Sequence, residues 1–133
     1  MEPRQVRSAA DARAIVEERG VNHVKVGAFD IDGIMRGKYI SRDKFLSSLD
    51  GGFGFCDVVL GWDCQDQLYD NVKYTGWHTG YPDAPVRLLP DTCRLLPFED
   101  NGLFFLGEFS PPAETVCPRG LLRRVLERGR AMG

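Results

Sequence analysis

The chain has 133 residues, of which 43% are hydrophobic and 27% charged, and its formal net charge is −2. This length suits one domain, and the composition is that of a folded protein rather than a disordered one. The near-neutral charge argues against a nucleic-acid binder, which normally has a basic excess. No apolar run reaches the roughly 18 residues that span a bilayer, and the polar start Met1-Glu2-Pro3 is unlike a signal peptide. We therefore expect a cytoplasmic protein that binds neither nucleic acid nor membrane.

The N-terminal segment, residues 1–20, predicts a helix. Ser8 followed by Asp11 has the pattern of a capping box, in which each side chain binds the backbone of the other residue. Good helix formers fill residues 9–19, and Gly20 is placed to end the helix in a left-handed conformation.

A hairpin and a second short helix are predicted next. Apolar residues alternate over His23–Phe29, as is typical of a strand, and Asp32-Gly33 is a strong turn signal before a returning strand over residues 34–40. Ser41 is expected to cap a helix that two glycines end at positions 51 and 52.

The remaining residues predict four strands and a final helix. Residues 55–62 are apolar and β-branched, which favours a buried strand. The final helix is expected to start at Pro118, with an apolar stripe on one face and a row of arginines that face solvent on the other. The other three strands are predicted over residues 86–89, 93–96 and 103–109.

This order of elements predicts an α+β fold, with a mixed sheet that carries helices on one face. Three segments are expected: an N-terminal helix over residues 1–20, the main domain over residues 21–112, and a linker with a helix over residues 113–133. Neither a disulfide nor a zinc site is expected, because the cysteines lie far apart and no C-x-x-C pair occurs. All four cysteines are interpreted as reduced thiols that fill apolar space; they are Cys56, Cys64, Cys93 and Cys117.

Residues 63–85 form a stretch that no regular element explains. Loops longer than about 12–15 residues are usually functional or disordered, and this one carries Tyr69, Tyr74, Trp77 and Tyr81. Disorder is disfavoured because burying the large apolar area of each ring is energetically favourable. The rings are expected to pack either on the protein's own sheet or against a neighbouring subunit or domain, and the sequence leaves both alternatives open.

Recognisable catalytic motifs are sparse. Neither a G-x-G-x-x-G, a P-loop nor an H-E-x-x-H motif occurs, and His23 and His78 are interpreted as a surface residue and a hydrogen-bonded loop residue. Asp63 is the best single candidate, since it follows an apolar run beside Trp62, where a partly desolvated carboxylate can bind a cation or accept a proton. Asp66 is the second candidate. The structural alternative is an aspartate that only turns the chain.

Five motifs follow one another in a specific order, and together they carry a family resemblance. They are the run from Phe29 to Lys38, then Gly80-Tyr81-Pro82-Asp83, Leu89-Pro90-Asp91, Leu96-Pro97 and Cys117-Pro118-Arg119. In this order they resemble the N-terminal domain of the glutamine synthetase family. The chain looks closer to the divergent bacterial glutamine synthetase-like ligases, because Phe98 stands where a Trp commonly follows Leu-Pro. In addition, Trp62-Asp63-Cys64-Gln65-Asp66 replaces the usual acid-Gly-Ser-Ser run.

The resemblance implies a β-grasp fold within an ATP-dependent ligase. Enzymes of this family join ammonia or an amine to the γ-carboxylate of glutamate through a γ-glutamyl phosphate made from ATP, with magnesium or manganese ions. Their metal, ATP and glutamate sites belong to a larger C-terminal domain. The chain is therefore expected to bind no cofactor itself, to stop where the catalytic domain would begin, and to be inactive alone.

The resemblance also implies a role between subunits of a homo-oligomer. In the family, the N-terminal domain supplies a loop to a neighbouring subunit's active site, and an aspartate on that loop helps to bind ammonium and remove its proton. Asp63 carries over to that role, and the altered run around it leaves Asp66 as an alternative. The expected partners are the chain's own catalytic domain and neighbouring subunits. Two other hypotheses stay open: a domain of a γ-glutamyl-polyamine or alkylamide synthetase, and a stand-alone binding or assembly module.

Overall fold

The computed structural model describes all residues, Met1–Gly133, and contains a five-stranded mixed sheet and three α-helices. The strands lie in the order β2-β1-β5-β4-β3, and β1 and β5 are parallel, with Val26 beside Phe105. This arrangement confirms the expected α+β class and is that of a β-grasp-like domain. The helices are α1 (Ala9–Glu18), α2 (Arg42–Gly51) and α3 (Pro118–Met132), and the strands are β1 (His23–Phe29), β2 (Met35–Ser41), β3 (Phe53–Cys56), β4 (Asp83–Leu95) and β5 (Leu103–Phe109).

The chain divides into two compact units. The first comprises Met1–Ala28, Gly37–Phe53 and Arg87–Gly107, and the second comprises Phe29–Arg36, Gly54–Val86 and Glu108–Gly133. The first unit therefore holds α1, α2 and most of the strand residues. The second holds the β1–β2 connection, the long segment between β3 and β4, and α3. The segment boundaries expected after residues 20 and 112 stay a prediction.

The core of the first unit is centred on Phe105 of β5. This ring is fully buried and packs on Phe45 of α2, with the two ring centroids 4.7 Å apart. Helix α1 adds Ile15 and Val16, which are also fully buried. The core thus joins two helices to the strand that lies at the centre of the sheet order.

The start and end of α1 confirm the predicted capping signals. The Ser8 hydroxyl accepts a hydrogen bond from the Asp11 N–H at 3.1 Å, and the Asp11 carboxylate accepts one from the Ser8 N–H at 3.0 Å. A further bond from the Arg7 N–H is the main cause that holds the pKa of Asp11 below its ordinary value. Gly20 follows the helix with a φ of 61°, a conformation that glycine adopts without strain.

The strand predicted over residues 55–62 is wrong beyond its first two residues. Strand β3 ends at Cys56, and Asp57–Leu60 form a short 3₁₀ helix. The Asp57 N–H donates to the carbonyl of Pro82, and its buried carboxylate accepts a 2.5 Å hydrogen bond from the fully buried Thr75 hydroxyl. Both bonds hold the chain out of a sheet ladder, while Val59 stays buried as its apolar character requires.

The two strands predicted over residues 86–89 and 93–96 are one continuous strand, β4. In the sequence, Pro90 suggests that the strand is interrupted, because proline has no N–H to donate to a neighbouring strand. The Thr92 hydroxyl compensates, because it accepts a hydrogen bond from the Leu106 N–H at 2.9 Å and donates one to the carbonyl of Leu89 at 2.5 Å. A side chain therefore keeps β4 tied to β5 next to the proline.

Candidate functional site

Asp63 opens a tight turn in the second unit. Its Oδ1 accepts hydrogen bonds from the backbone N–H groups of Gln65 at 2.8 Å and Gln67 at 3.0 Å, and its own N–H donates to the carbonyl of Gln67 at 3.0 Å. This is the way in which aspartate commonly organises a turn. The other carboxylate oxygen, Oδ2, has no hydrogen-bond partner in the chain. Asp63 therefore turns the chain with one oxygen, and the other makes no hydrogen bond within the chain.

Asp66 lies on the same turn in a different electrostatic setting. Its backbone is left-handed, with a φ of 61°, and its N–H donates to the carbonyl of Asp63 at 3.1 Å. Its carboxylate forms an ion pair with the Arg36 guanidinium. The structure thus brings both predicted aspartates together but engages only the Asp66 carboxylate with a cation.

Arg36, at the start of β2, connects these residues. Its Nε donates to the carboxylate of Asp30 at 2.8 Å, one terminal nitrogen pairs with Asp66, and the other donates to the carbonyl of Asp63 at 3.1 Å. The guanidinium also lies over the Trp62 ring, 5.0 Å from the centroid. Hydrogen bonds to Asp66 and Asp30 raise the pKa of Arg36 above its ordinary value. Sequence reasoning missed this residue as functional, although it stands in the first of the motifs that carry the family resemblance.

The carboxylate of Asp30 is the buried end of this cluster. The side chain is fully buried, and its Oδ1 accepts hydrogen bonds from the N–H groups of Asp32 at 2.9 Å and Ile34 at 2.8 Å. A buried charge is tolerated when it is both paired and hydrogen-bonded. A second hydrogen bond joins the β1–β2 connection to the segment that carries Asp63: the Tyr69 hydroxyl donates to the Asp32 carboxylate at 3.3 Å. Partial burial, together with the nearby Asp32 charge, raises the pKa of Tyr69.

The aromatic residues further along this segment do not share one environment. Trp77 is 81% exposed and makes an edge contact with Tyr81, whereas Tyr74 is half-buried and its pKa is raised by burial. His78 takes the loop role predicted for it, with its Nε2 3.0 Å from the carbonyl of Lys73. The alternative in which every ring packs on the protein's own sheet is therefore wrong for Trp77.

The chain has neither a metal-binding cluster of side chains nor a helix that could span a membrane. No group of three or more His, Cys, Asp or Glu side chains is arranged to hold a metal ion together. None of the helices has the length and apolar character needed to cross a bilayer.

The cysteines differ in exposure, which gives a direct test of the turn's accessibility. Cys93 and Cys117 are buried, as expected of apolar fillers, but Cys64 beside Asp63 is exposed, so that interpretation is wrong for it. Burial raises the pKa of the Cys93 thiol to about 11. Because the thiolate is the reactive form, iodoacetamide near pH 8 is expected to label Cys64 in the folded chain and leave Cys93 unmodified. Peptide mass spectrometry measures this, and equal labelling of both cysteines before unfolding in urea would contradict it.

Comparison with known proteins places this geometry in a family. No protein-family model matches the chain. Among curated proteins, it is 49% identical over 109 residues to type-1 glutamine synthetase 2 of Dictyostelium discoideum, covering 79% of the chain and 21% of that relative. It is 34% identical over 128 residues to a glutamate–isopropylamine ligase of a Pseudomonas species, covering 91% of the chain and 27% of the ligase. It is 27% identical over 122 residues to the γ-glutamylethanolamide synthetase GlnA4 of Streptomyces coelicolor, covering 89% of the chain and 26% of that enzyme.

Solved structures share the fold. A GmaS/ADP complex superposes with a TM-score of 0.65 at 17% identity, covering 92% of this chain and 26% of that one. Glutamine synthetase of Plasmodium falciparum superposes with a TM-score of 0.64 at 16% identity, covering 94% and 23% of the two chains. The chain spans about a quarter of the length of its relatives, which is the size of an N-terminal domain. It belongs to the glutamine synthetase family.

Proposed function

We propose that the chain is the N-terminal domain of a glutamine synthetase-like ligase that joins ammonia to glutamate through a γ-glutamyl phosphate. In this proposal the domain supplies Asp63 to an ammonium site in a neighbouring subunit and is inactive by itself. The observation that carries the proposal is the 49% identity with type-1 glutamine synthetase 2 over 109 residues. ATP and magnesium or manganese would be bound outside this chain. The residues around Asp63 do not fit a metal, because the neighbouring Asp66 carboxylate is already paired with Arg36.

The geometry of Asp63 supports a role in binding and deprotonating ammonium. An ammonium ion must lose a proton before its nitrogen can attack, and a carboxylate both attracts the cation and accepts the proton. The two backbone N–H groups on Oδ1 orient the carboxylate and leave Oδ2 uncommitted. Asp66 is less suited, because the positive charge of Arg36 already compensates it and would repel a second cation. We therefore assign the proton-accepting role to Asp63.

The exposed surface of the same segment supports a partner subunit beside it. Trp77 is 81% exposed, and Leu68 and Tyr69 are also exposed on the segment that carries Asp63. Aromatic residues on a protein surface are enriched at the centres of protein interfaces. We propose that the neighbouring subunit covers this surface. Helix α3 would meet the chain's own catalytic domain through its exposed stripe of Leu121, Leu122, Val125 and Leu126.

A small amine is the alternative nitrogen donor. The chain matches a glutamate–isopropylamine ligase over 91% of its length, and a γ-glutamylethanolamide synthetase over 89%. Asp63 would bind an alkylammonium head group in the same way as ammonium. Amide formation measured with ammonia, isopropylamine, ethanolamine and a polyamine separates these donors. A stand-alone binding or assembly module, the third hypothesis, predicts no amide formation with any of them.

Mixing of inactive subunits tests the cross-subunit role. One variant of the ligase carries Asp63→Asn, and the other carries an intact Asp63 but an inactivated ATP site. Random mixing in equal amounts gives about one site in four with both parts intact, if the aspartate and the ATP site come from different subunits of a symmetric oligomer. We therefore expect the mixture to recover activity in that proportion. A mixture as inactive as its two components would show that each subunit uses its own Asp63.

A further inference from the structure

The turn that contains Asp63 spans residues 61–69 and is closed by a 2.9 Å hydrogen bond from the Tyr69 N–H to the carbonyl of Gly61. We propose that Arg36 is the positioning residue for the Asp63 carboxylate, and that its pair with Asp30 is the fixed base from which this turn is held. This inference rests on the proposed function of Asp63. It assigns a role to a residue that does not itself touch the ammonium, since its donors are directed to protein oxygens.

The three donor sites of the guanidinium all point to the proposed role. Nε binds Asp30 at 2.8 Å, and the two terminal nitrogens bind Asp66 and the carbonyl of Asp63. Two of these acceptors lie on the turn, one at each side of the bend that Asp63 organises. Because the guanidinium is planar and rigid, holding both acceptors fixes the direction in which the turn projects.

The other end of the connection is buried and hydrogen-bonded to the backbone. Asp30 is fully buried, and its second oxygen accepts two backbone N–H groups of the β1–β2 connection. Removing Arg36 would leave this charge buried without its cation, which is strongly unfavourable. The Trp62 ring covers one face of the guanidinium, 5.0 Å away, and restricts its movement further.

Arg36 contacts the two aspartates of the turn in different ways. Arg36 compensates the charge of Asp66 but reaches Asp63 only through its backbone carbonyl. The Asp63 carboxylate therefore keeps an uncommitted oxygen while its backbone is held. A lysine at position 36 would retain the charge but could not reach three separate acceptors from one nitrogen.

Amide hydrogen exchange tests the structural half of the inference. In the 133-residue chain, Arg36→Gln is expected to speed exchange of the Gln65 and Gln67 amides, which bind Asp63 Oδ1, by at least about tenfold, the scale of one lost charge-assisted hydrogen bond. The Phe105 amide is expected to stay unchanged. Arg36→Lys keeps the positive charge and serves as the second variant if Arg36→Gln does not fold. It is expected to give a smaller increase in the exchange rate of the same two amides. Arg13→Gln is the control, since Arg13 forms an exposed ion pair with Asp50.

Kinetics of the ligase separate positioning from general stability. Arg36→Gln is expected to raise the KM for the amine or ammonia about tenfold and to leave the KM values for glutamate and ATP unchanged. A merely destabilised domain would lower the amount of active enzyme, and therefore kcat, without moving one KM alone. The Arg13→Gln control is expected to change none of these parameters.

The outcomes distinguish this inference from the proposed function. If Asp63→Asn abolishes amide formation while Arg36→Gln changes neither the exchange of the turn amides nor the amine KM, the inference is overturned and the proposed function stands. If Asp63→Asn leaves activity intact, the proposed function falls and the inference falls with it, even where exchange is faster. Faster exchange together with a selective rise in the amine KM supports both.

Discussion

Replacement of Asp63 by Asn in the proposed ligase is expected to reduce amide formation about 10²–10⁴-fold, the range in which a general base contributes. The amide side chain keeps an oxygen that accepts the Gln65 and Gln67 N–H groups, so the turn is expected to survive. What is lost is the negative charge that attracts the cation and the oxygen that takes its proton. Because ATP and glutamate would bind elsewhere, their apparent affinities are expected to change little.

Asp66→Asn is the matched control for this substitution. It removes a carboxylate from the same turn, but one whose charge Arg36 already compensates. Its effect on amide formation is expected to stay below about tenfold. Steady-state rates of both variants, measured at saturating ATP and glutamate, decide between the two residues. If Asp66→Asn is the damaging change and Asp63→Asn is tolerated, the proton-accepting role belongs to Asp66.

The largest expected effect on stability comes from Phe105→Ala, which should lower the free energy of unfolding by about 3–5 kcal/mol. Phe105 is fully buried on the strand between β1 and β4, and its ring packs on Phe45 at 4.7 Å. The substitution removes that contact and leaves a cavity, since a well-packed core relaxes only partly. Urea unfolding followed by circular dichroism measures the change.

Phe98→Ala provides the control for the core substitution. Phe98 is 98% exposed, so the same atoms are removed without loss of buried area. The free energy of unfolding is expected to change by less than about 0.5 kcal/mol. An equal loss for both variants would mean that Phe105 contributes through the unfolded state or the strand backbone rather than through core packing.

Features that depend on neighbouring residues were predictable from the sequence. The capping box at Ser8, the strand His23–Phe29 and the start of α3 at Pro118 all match, because short-range hydrogen bonds and periodicity decide them. The position of β3 was not predictable in this way. Its end depends on a hydrogen bond from Thr75 to Asp57, which lies 18 positions earlier in the chain.

The candidate site shows the same contrast between a feature set by neighbouring residues and one set by distant residues. Asp63 stood out because it follows an apolar run, and a local sequence pattern is enough to find it. The role of Arg36 depends on Asp66, 30 positions further along, and on the guanidinium lying over Trp62. Nothing in the spacing of these residues indicates that they meet. The one sequence signal for Arg36 is its place in the first of the motifs that carry the family resemblance.

The two roles proposed for the Asp63 carboxylate constrain how the proposed ligase could be redesigned. Since one oxygen closes the turn and the other is proposed to handle the substrate, a glutamate at position 63 is a poor replacement: its extra methylene shifts the group away from both turn amides. A protein engineer who seeks to admit bulkier nitrogen donors should therefore keep this residue and diversify Cys64 and Gln65. Their side chains are exposed and make none of the hydrogen bonds that close the turn.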